Sequence, residues 1–395
     1  MTVRPMRIAF INPQSVPGDL PSTLQALQMV DAFAQCGHAV DVVTPAPSAG
    51  LSARQILGRE AHPGVHWQHS PALRRRWFFP FSSHRLFYRH AIQWLRRERP
   101  DVAYVRNLKL AEAILQALPQ QAVVFETHEL FAQSFAEHHA PLGLGARRKL
   151  RALERREAYV YGKCRGLVAI TETLLGDIRQ RYGDTGAALV APDGVDPEPA
   201  ARALAVPRTA NARPALLYLG SLHRWKGVET VIDALPAIAD CDLWIAGGGT
   251  ARMQELAQRP SARACAGRLH LLGQIPPAER FELIAKSDLC LLPLTQSSIG
   301  SRYTSPLKLF EYMAMGKPIL ASDHPSLREV LRHGDNGWLV APDDPARLAE
   351  GASKLLADPA LRAALGAQAL ADSRRYTWRA RAEAVTKWME SICSA

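Results

Sequence analysis

At 395 residues the chain is too long for one ordinary hydrophobic core, so two domains of roughly 150 to 200 residues are predicted. The formal charge of +11 favours anionic partners, phosphorylated substrates among them, and 47% hydrophobic content leaves ample core for an enzyme. No apolar run reaches the ~18 residues of a membrane span, no secretion signal opens the chain, and six scattered cysteines without a CxxC pair read as thiols in a reducing compartment. A cytoplasmic protein, or one peripheral at the inner membrane face, is expected.

From the N-terminus, short β-branched apolar runs alternate with longer amphipathic segments, the pattern of an α/β chain with parallel sheets covered by helices. The first set is MRIAFINP (6–13), AVDVVTP (39–45), VHWQHS (65–70), DVAYVRN (101–107), AVVFETH (122–128), GLVAIT (166–171) and ALVAPDGV (188–195). Residues 200–214 are small, polar and proline-bearing, and read as an interdomain linker. The second set is ALLYLGSL (215–222), CDLWIAGGG (241–249), RLHLLGQI (268–275), SDLCLLPL (287–294), KPILAS (317–322) and GWLVAP (337–342). Two Rossmann-like domains follow, 1–205 and 206–375. In such sheets ligands sit beyond the carboxyl ends of the strands, and with two domains the groove between them is the expected site.

Several of those ends carry chemistry. Arg74, Arg75, Arg76, Trp77, Phe78, Phe79, Pro80 and Phe81, followed by Arg85, Phe87, Tyr88, Arg89, Trp94, Arg96 and Arg97, interleave cations with aromatics. The 74–97 segment therefore suits an anionic membrane surface or a lipid-linked acceptor, or else a helix with solvated arginines and core aromatics. No recognisable nucleic-acid module surrounds it, and no nucleic-acid partner is expected. His128 ends a strand in VVFETHEL, where an imidazole can donate to a sugar hydroxyl or phosphate oxygen, with Glu126 and Glu129 as candidate partners or caps. The histidines form no HExxH pattern, so no metal site is predicted. The basic run 146–163 interleaves acids at helical spacing and reads as a solvated helix face.

GSLHRWKG (220–227) follows a strand and precedes a helix, so Gly220 allows a tight exit while Lys226, with Arg224 assisting, can reach an anion. It lacks the GxxxxGK[ST] spacing of a Walker loop, and a solvated basic turn is the alternative. Gly247-Gly248-Gly249 reads as a tight strand-to-helix turn. In SPLKLFEYMAMGKPILAS (305–322), Ser305 reads as an N-cap, Pro306 as the first helical residue and Gly316 as the helix end. Glu311 lies near the face of Leu307, Phe310 and Ala314, so its carboxylate is half-buried and needs donors. Two ribose hydroxyls would supply them, while the free amides of Leu307 and Lys308, with the Lys308 charge, would meet a phosphate. The alternative is a surface pair between Lys308 and Glu311.

In this order and spacing, ETHEL, TET (171–173), PDGVD (192–196), GSLHRWKG, SPLKLFEYMAMGKPILAS and NGWLV (336–340) resemble family 4 of the retaining glycosyltransferases across nearly the whole chain. The resemblance implies a GT-B fold of two facing Rossmann-like domains. The first would bind the acceptor, the second a nucleotide-diphosphate sugar, UDP- or GDP-linked, and residues 376–395 would form a helix returning to the first. It also implies retaining transfer to a carbohydrate, lipid-linked or small-molecule acceptor, with no metal and no cofactor beyond the donor.

By the same resemblance His128, Lys226 and Glu311 are carried over as catalytic, with Glu311 on the ribose and Lys226 on the diphosphate. Gly18, Ser221, Arg224, Tyr303, Ser305, Pro306, Leu307 and Lys308 join Lys226 and Glu311 as donor-binding. Three departures stand out. Tyr303 occupies the place of a second glutamate, Ser221 that of an arginine, and Pro17-Gly18-Asp19 that of paired glycines. Phosphate affinity then rests on Lys226 and Lys308. These departures leave room for a catalytically silent nucleotide-sugar binder, and the fold for an epimerase.

Overall fold

All thirteen predicted apolar runs form strands, each shorter than or equal to its run because the chain leaves the sheet once polar residues begin. The computed structural model describes residues 5–18, 20–47, 51–70, 84–277 and 279–393. They divide into two units, one of residues up to Pro192 together with those from Trp378 onward, the other Asp193–Thr377. In the first unit the strands are β1 (Arg7–Ile11), β2 (Ala39–Pro45), β3 (Val65–Ser70), β4 (Val102–Val105), β5 (Val123–Thr127), β6 (Gly166–Ala169) and β7 (Ala188–Val190). They pair in parallel in the order β3-β2-β1-β4-β5-β6-β7. Helices cover both faces, so β4 is buried at every position and its residues are uniformly apolar. Two carboxylates are buried inside strands of this sheet, Asp41 in β2 and Glu126 in β5, each 2% exposed.

The helix Trp378–Cys393 closes this unit by packing on the helix Pro21–Gln35. Trp378, Ala382, Val385 and Met389 share its buried stripe at helical spacing.

The second unit repeats the scheme with β8 (Ala215–Leu219), β9 (Asp242–Ala246), β10 (Leu269–Gly273), β11 (Leu289–Leu292), β12 (Ile319–Ser322) and β13 (Trp338–Val340). Their order is β10-β9-β8-β11-β12-β13, again parallel. The strand order reverses between β1 and β4 in one sheet and between β8 and β11 in the other, which opens a crevice at the carboxyl ends of those neighbours.

One expectation needs correction, and for one segment the structure favours one of two readings. The unit boundary falls at Pro192/Asp193, not in 200–214. The first residues of that stretch end a helix, Pro197–Leu204, whose N-cap Asp196 accepts from the Glu198 N–H at 3.0 Å. Ala200 and Ala203 lie in the core of the second unit, so small side chains that resemble a linker are there for close packing. In the basic-aromatic segment, residues 74–83 lie outside the described residues. The remainder is the helix Arg85–Glu98, with Phe87 and Trp94 in the core and Tyr88 donating to Asn107 Oδ1 at 3.2 Å. Arg85, Arg89, Arg96 and Arg97 face solvent, so this part offers cations without aromatic anchors. The basic helix Leu144–Lys163 exposes Arg151 and Arg155, as its spacing predicts.

Gly227 ties the sequence to the second sheet most sharply. Its φ is +70°, and a Cβ there would lie 1.6 Å from the Pro293 carbonyl oxygen just after β11. No side chain fits without moving one strand exit from the next. Gly227→Ala is expected to destabilise the protein by about 2 to 4 kcal/mol. Denaturant unfolding checks this, and an unchanged midpoint would contradict the close approach.

Candidate functional site

The crevice of the second unit is built from two strand exits. After β8 the chain turns at Gly220, forms a single 3-10 turn at Arg224–Lys226 and enters the helix Val228–Ala234. After β11 it runs through Pro293 and Leu294 to the helix Leu307–Ala314. Gly247 and Gly248 follow β9, and Gly248, with Gly249, Ser221, Leu222, His223, Arg224, Arg252 and Glu255, borders a hollow of about 480 Å³.

The helix Leu307–Ala314 opens differently from its sequence reading. Pro306 is the cap residue, with extended backbone at φ −77° and ψ 122°, and no side chain caps the helix. Ser305 Oγ instead accepts from the Asp193 N–H at 2.9 Å and pins the start of the unit to this loop. The N–H groups of Leu307 and Lys308 in the first turn have no acceptor within the helix. At the far end Gly316 adopts φ +60° and donates to the Met313 carbonyl, while Lys317 N–H donates to Tyr312 O, closing the helix as expected.

Lys308 does not lie on the surface beside Glu311. It is 7% exposed, and its Nζ sits 4.0 Å over the Tyr218 ring with no hydrogen-bond partner among the described residues. A Cβ at Gly220 would lie 3.6 Å from it, so the ammonium reaches the exit of β8. Burial pushes its pKa well below the usual lysine range, and the nearby positive charge of Lys226 pushes it further. Lys226 Nζ lies 3.7 Å over the Trp225 ring, and burial lowers its pKa to about 8. Both cations thus lie over aromatic faces. Lys308, buried, and Lys226, half-buried, bring two cations to one strand exit, with Glu311 the nearby negative charge acting on Lys308.

Glu311 is 8% exposed, and Arg280 Nε lies 2.8 Å from its Oε1. The arginine comes from the start of the helix Arg280–Lys286, also stacks near Phe281, and is the counter-ion of the half-buried carboxylate, without a hydrogen bond from its Nε. The Lys308–Glu311 surface pair is therefore replaced by two separate arrangements. Arg224, with its side chain 85% exposed and 3.7 Å from Glu255, is not brought to the lysines. Ser221 borders the hollow and accepts from the Tyr218 hydroxyl at 2.6 Å through its carbonyl. Tyr303 is 1% exposed and belongs to the interior, so its ring does not stand in for the glutamate usual at that place.

The first unit has its own cluster at the ends of β4 and β5. Glu126 Oε1 takes His128 Nε2 at 2.6 Å and Arg106 Nε at 3.2 Å. Its Oε2 accepts from the Tyr104 hydroxyl and from Arg381 Nη2 at 2.8 Å. Burial alone would raise the Glu126 pKa, but Arg381 and Arg106 hold it well below the usual carboxylate range. The carboxylate being ionised, His128 Nε2 must carry a proton and donate. Burial and Arg106 lower the imidazole pKa to about 4, so the ring is neutral. The expected donation to a ligand is thereby reversed. The nitrogen turned away from Glu126 is Nδ1, a hydrogen-bond acceptor in this tautomer. Gly18 also belongs to this unit, where a Cβ would lie 3.0 Å from Ser15 O and Thr23 Oγ1.

Arg280, Tyr218, Arg106 and Arg381 escape the motif reading. Arg381 had a signal, a lone cation on the stripe of Trp378, Ala382 and Val385. The others depend on which strand ends meet.

The descriptions of known families match both halves of the chain. Residues 24–199 match Glycosyltransferase Family 4, and residues 213–358 match Glycosyl transferases group 1. The phosphatidyl-myo-inositol mannosyltransferase of Mycobacterium tuberculosis (strain ATCC 25618 / H37Rv) is 28% identical over 405 residues, covering 99% of this chain and 98% of its own. A D-inositol 3-phosphate glycosyltransferase of Xylanimonas cellulosilytica is 31% identical over 239 residues, 56% of each chain. Among solved structures, sucrose-phosphate synthase of Thermosynechococcus elongatus superposes with a TM-score of 0.78 at 18% identity over 98% of this chain and 99% of its own. HepE of Anabaena, crystallised with UDP, does so with 0.74 at 18% identity over 98% and 100%. The strand orders and these matches agree, and the chain belongs to the family 4, group 1 glycosyltransferases of GT-B fold.

Proposed function

We propose that the protein transfers a sugar from a nucleotide-diphosphate donor, UDP- or GDP-linked, to a hydroxyl of a lipid-linked or polysaccharide-precursor acceptor, with retention at the anomeric carbon and without a metal. One observation carries the donor half. The Lys308 ammonium is buried, unpartnered by hydrogen bonds among the described residues and held beside Lys226 at the β8 exit, which makes it costly unless an anion completes it. A diphosphate has the charge, and it sits at the switch point where doubly wound sheets bind such groups. Lys308 also supplies a second cation where Ser221 replaces the usual arginine.

The two lysines would neutralise the charge that develops on the departing diphosphate, the task a divalent cation performs in other transferases. Glu311 would accept the ribose hydroxyls. Arg280 already holds this carboxylate in place, so nucleotide binding exchanges or shares an existing partner rather than burying a bare charge. In the front-face course a donor phosphate oxygen takes the acceptor proton, and no side-chain nucleophile is required. The acceptor class is supported by the relatives of full length, which are named phosphatidyl-myo-inositol mannosyltransferases.

Thermal-shift screening against UDP-, GDP-, ADP- and dTDP-sugars is expected to show stabilisation by one base class. Proton NMR of the product should show the donor's anomeric configuration. Absence of turnover with any donor across a broad acceptor panel would leave a silent binder in its place. Glu311→Ala should weaken nucleotide binding by about 1 to 3 kcal/mol, and calorimetry with unchanged affinity would reject the ribose role.

The lysines make a separate prediction in the ligand-free protein. Their folded pKa values lie below the unfolded lysine value of 10.5, so the unfolded chain binds more protons and stability rises with pH. For Lys226 that window runs from about 8 to 10.5. Lys308→Met removes the buried charge at similar volume. It should flatten this rise, raise the ligand-free melting temperature and abolish stabilisation by nucleotide diphosphate. A lowered melting temperature with retained nucleotide binding would contradict the anion site.

A further inference from the structure

Arg381 is 6% exposed on the buried stripe of the C-terminal helix, where every neighbour at helical spacing is apolar. Its guanidinium is shared among separate parts of the first unit. Nη2 donates to Glu126 Oε2 at 2.8 Å, Nη1 lies 2.9 Å from Met29 Sδ, and Nε donates to Pro192 O at 3.0 Å and Ala191 O at 3.3 Å. A buried arginine costs several kcal/mol unless fully satisfied, and a leucine would pack the stripe as well. The cation is therefore there for Glu126.

Glu126 in turn has one free direction of influence. Its Oε2 is taken by Arg381 and Tyr104, while Oε1 faces Arg106 and His128. Arg106 donates to Ser22 O at 3.1 Å through Nη1 and to Gln25 Oε1 through one hydrogen of Nη2, and that Nη2 lies 2.9 Å from His128 Nε2, farther than the carboxylate oxygen Glu126 Oε1 at 2.6 Å, which as an acceptor must meet a hydrogen. The His128 proton consequently goes to Oε1. We propose that Arg381, acting through Glu126, is a positioning residue that fixes His128 as the Nε2–H tautomer and presents its Nδ1 lone pair to a substrate hydroxyl. Only the hydroxyl rests on the transferase reading above; the tautomer does not.

The charge balance explains why a second cation is needed. Glu126 from β5 is the anion facing His128. Arg106 at the end of β4 and Arg381 from the C-terminal helix are the cations, and Tyr104 and Gln25 contribute neutral dipoles. With both arginines present the ring has no call to carry charge. With Arg381 gone, one arginine would balance Glu126 only partly, and a protonated imidazole would become its second counter-ion. An imidazolium has no lone pair, so the acceptor at Nδ1 would vanish.

The test uses the full-length protein with 15N-labelled histidine, its long-range 1H–15N spectra followed between about pH 5 and 8. His128 signals are identified by their loss in His128→Gln. Wild type is expected to show a neutral Nε2–H ring throughout. In Arg381→Gln the same ring should begin to protonate inside that range, a rise of about one unit or more, while Arg381→Lys stays near wild type. In turnover assays Arg381→Gln should lose kcat on the acid side with the donor KM unchanged. An Nδ1–H tautomer in wild type, or an Arg381→Gln ring that stays neutral, would overturn the proposal. The wild-type spectrum decides it even if Arg381→Gln does not fold. Because the spectra need no substrate, their outcome is separate from whether sugar transfer is detected.

Discussion

An ammonium group that folding removes from water without giving it a counter-ion is the constraint around which the second unit is arranged. Lys308 reaches it from a buried helix, Tyr218 offers only an aromatic face, and Lys226 adds like charge. Protein interiors rarely tolerate this because desolvation is costly and unpaired charge neutralises itself by shedding a proton. Its persistence beside a glycine exit at a switch point has a physical reason once an anion belongs there. On the proposed reading, stability conceded in the free protein is recovered when the donor binds.

The two units solve opposite electrostatic problems with the same sheet topology. In the first, the charged group is an acid, Glu126, and four partners saturate it from β4, β5 and the C-terminal helix. Glu126 itself has no charge left for a ligand to complete, which suits it to hold its neighbours. In the second, Lys226 and Lys308 lie over aromatic rings with no ion pair among the described residues, while Glu311 is paired by Arg280. A closed network suits a residue whose tautomer and direction matter, and an open one suits a site whose charge is completed by substrate.

Much of the fold was legible because burial on both faces makes a parallel strand uniformly apolar. The thirteen runs therefore stood out without any motif. Glycines carried the rest of the local signal, since Gly227 and Gly316 occupy backbone conformations that other residues rarely adopt. The signals failed where one residue type serves two physical roles. Ala200 and Ala203 have the composition of a linker and the packing of a core, and Ser305 has the chemistry of an N-cap while bonding Asp193 instead. Phe87 and Trp94 look like membrane anchors when only their spacing from arginines is read, yet the helix turns them inward.

By itself the sequence determined the two parallel α/β sheets, the family, the turns that carry Lys226 and His128 and the helix that carries Lys308 and Glu311, because periodicity and turn chemistry are local. Which groups those residues meet was decided only by tertiary structure. Arg280 reaches Glu311 from 31 positions earlier by number, and Arg381 reaches Glu126 across 255 residues. Such pairs join strand ends and helices that the crossovers bring together, so no spacing along the chain encodes them. Charge, tautomer and pKa follow from those meetings rather than from residue type, because each is set by the dielectric and the partners that folding assembles.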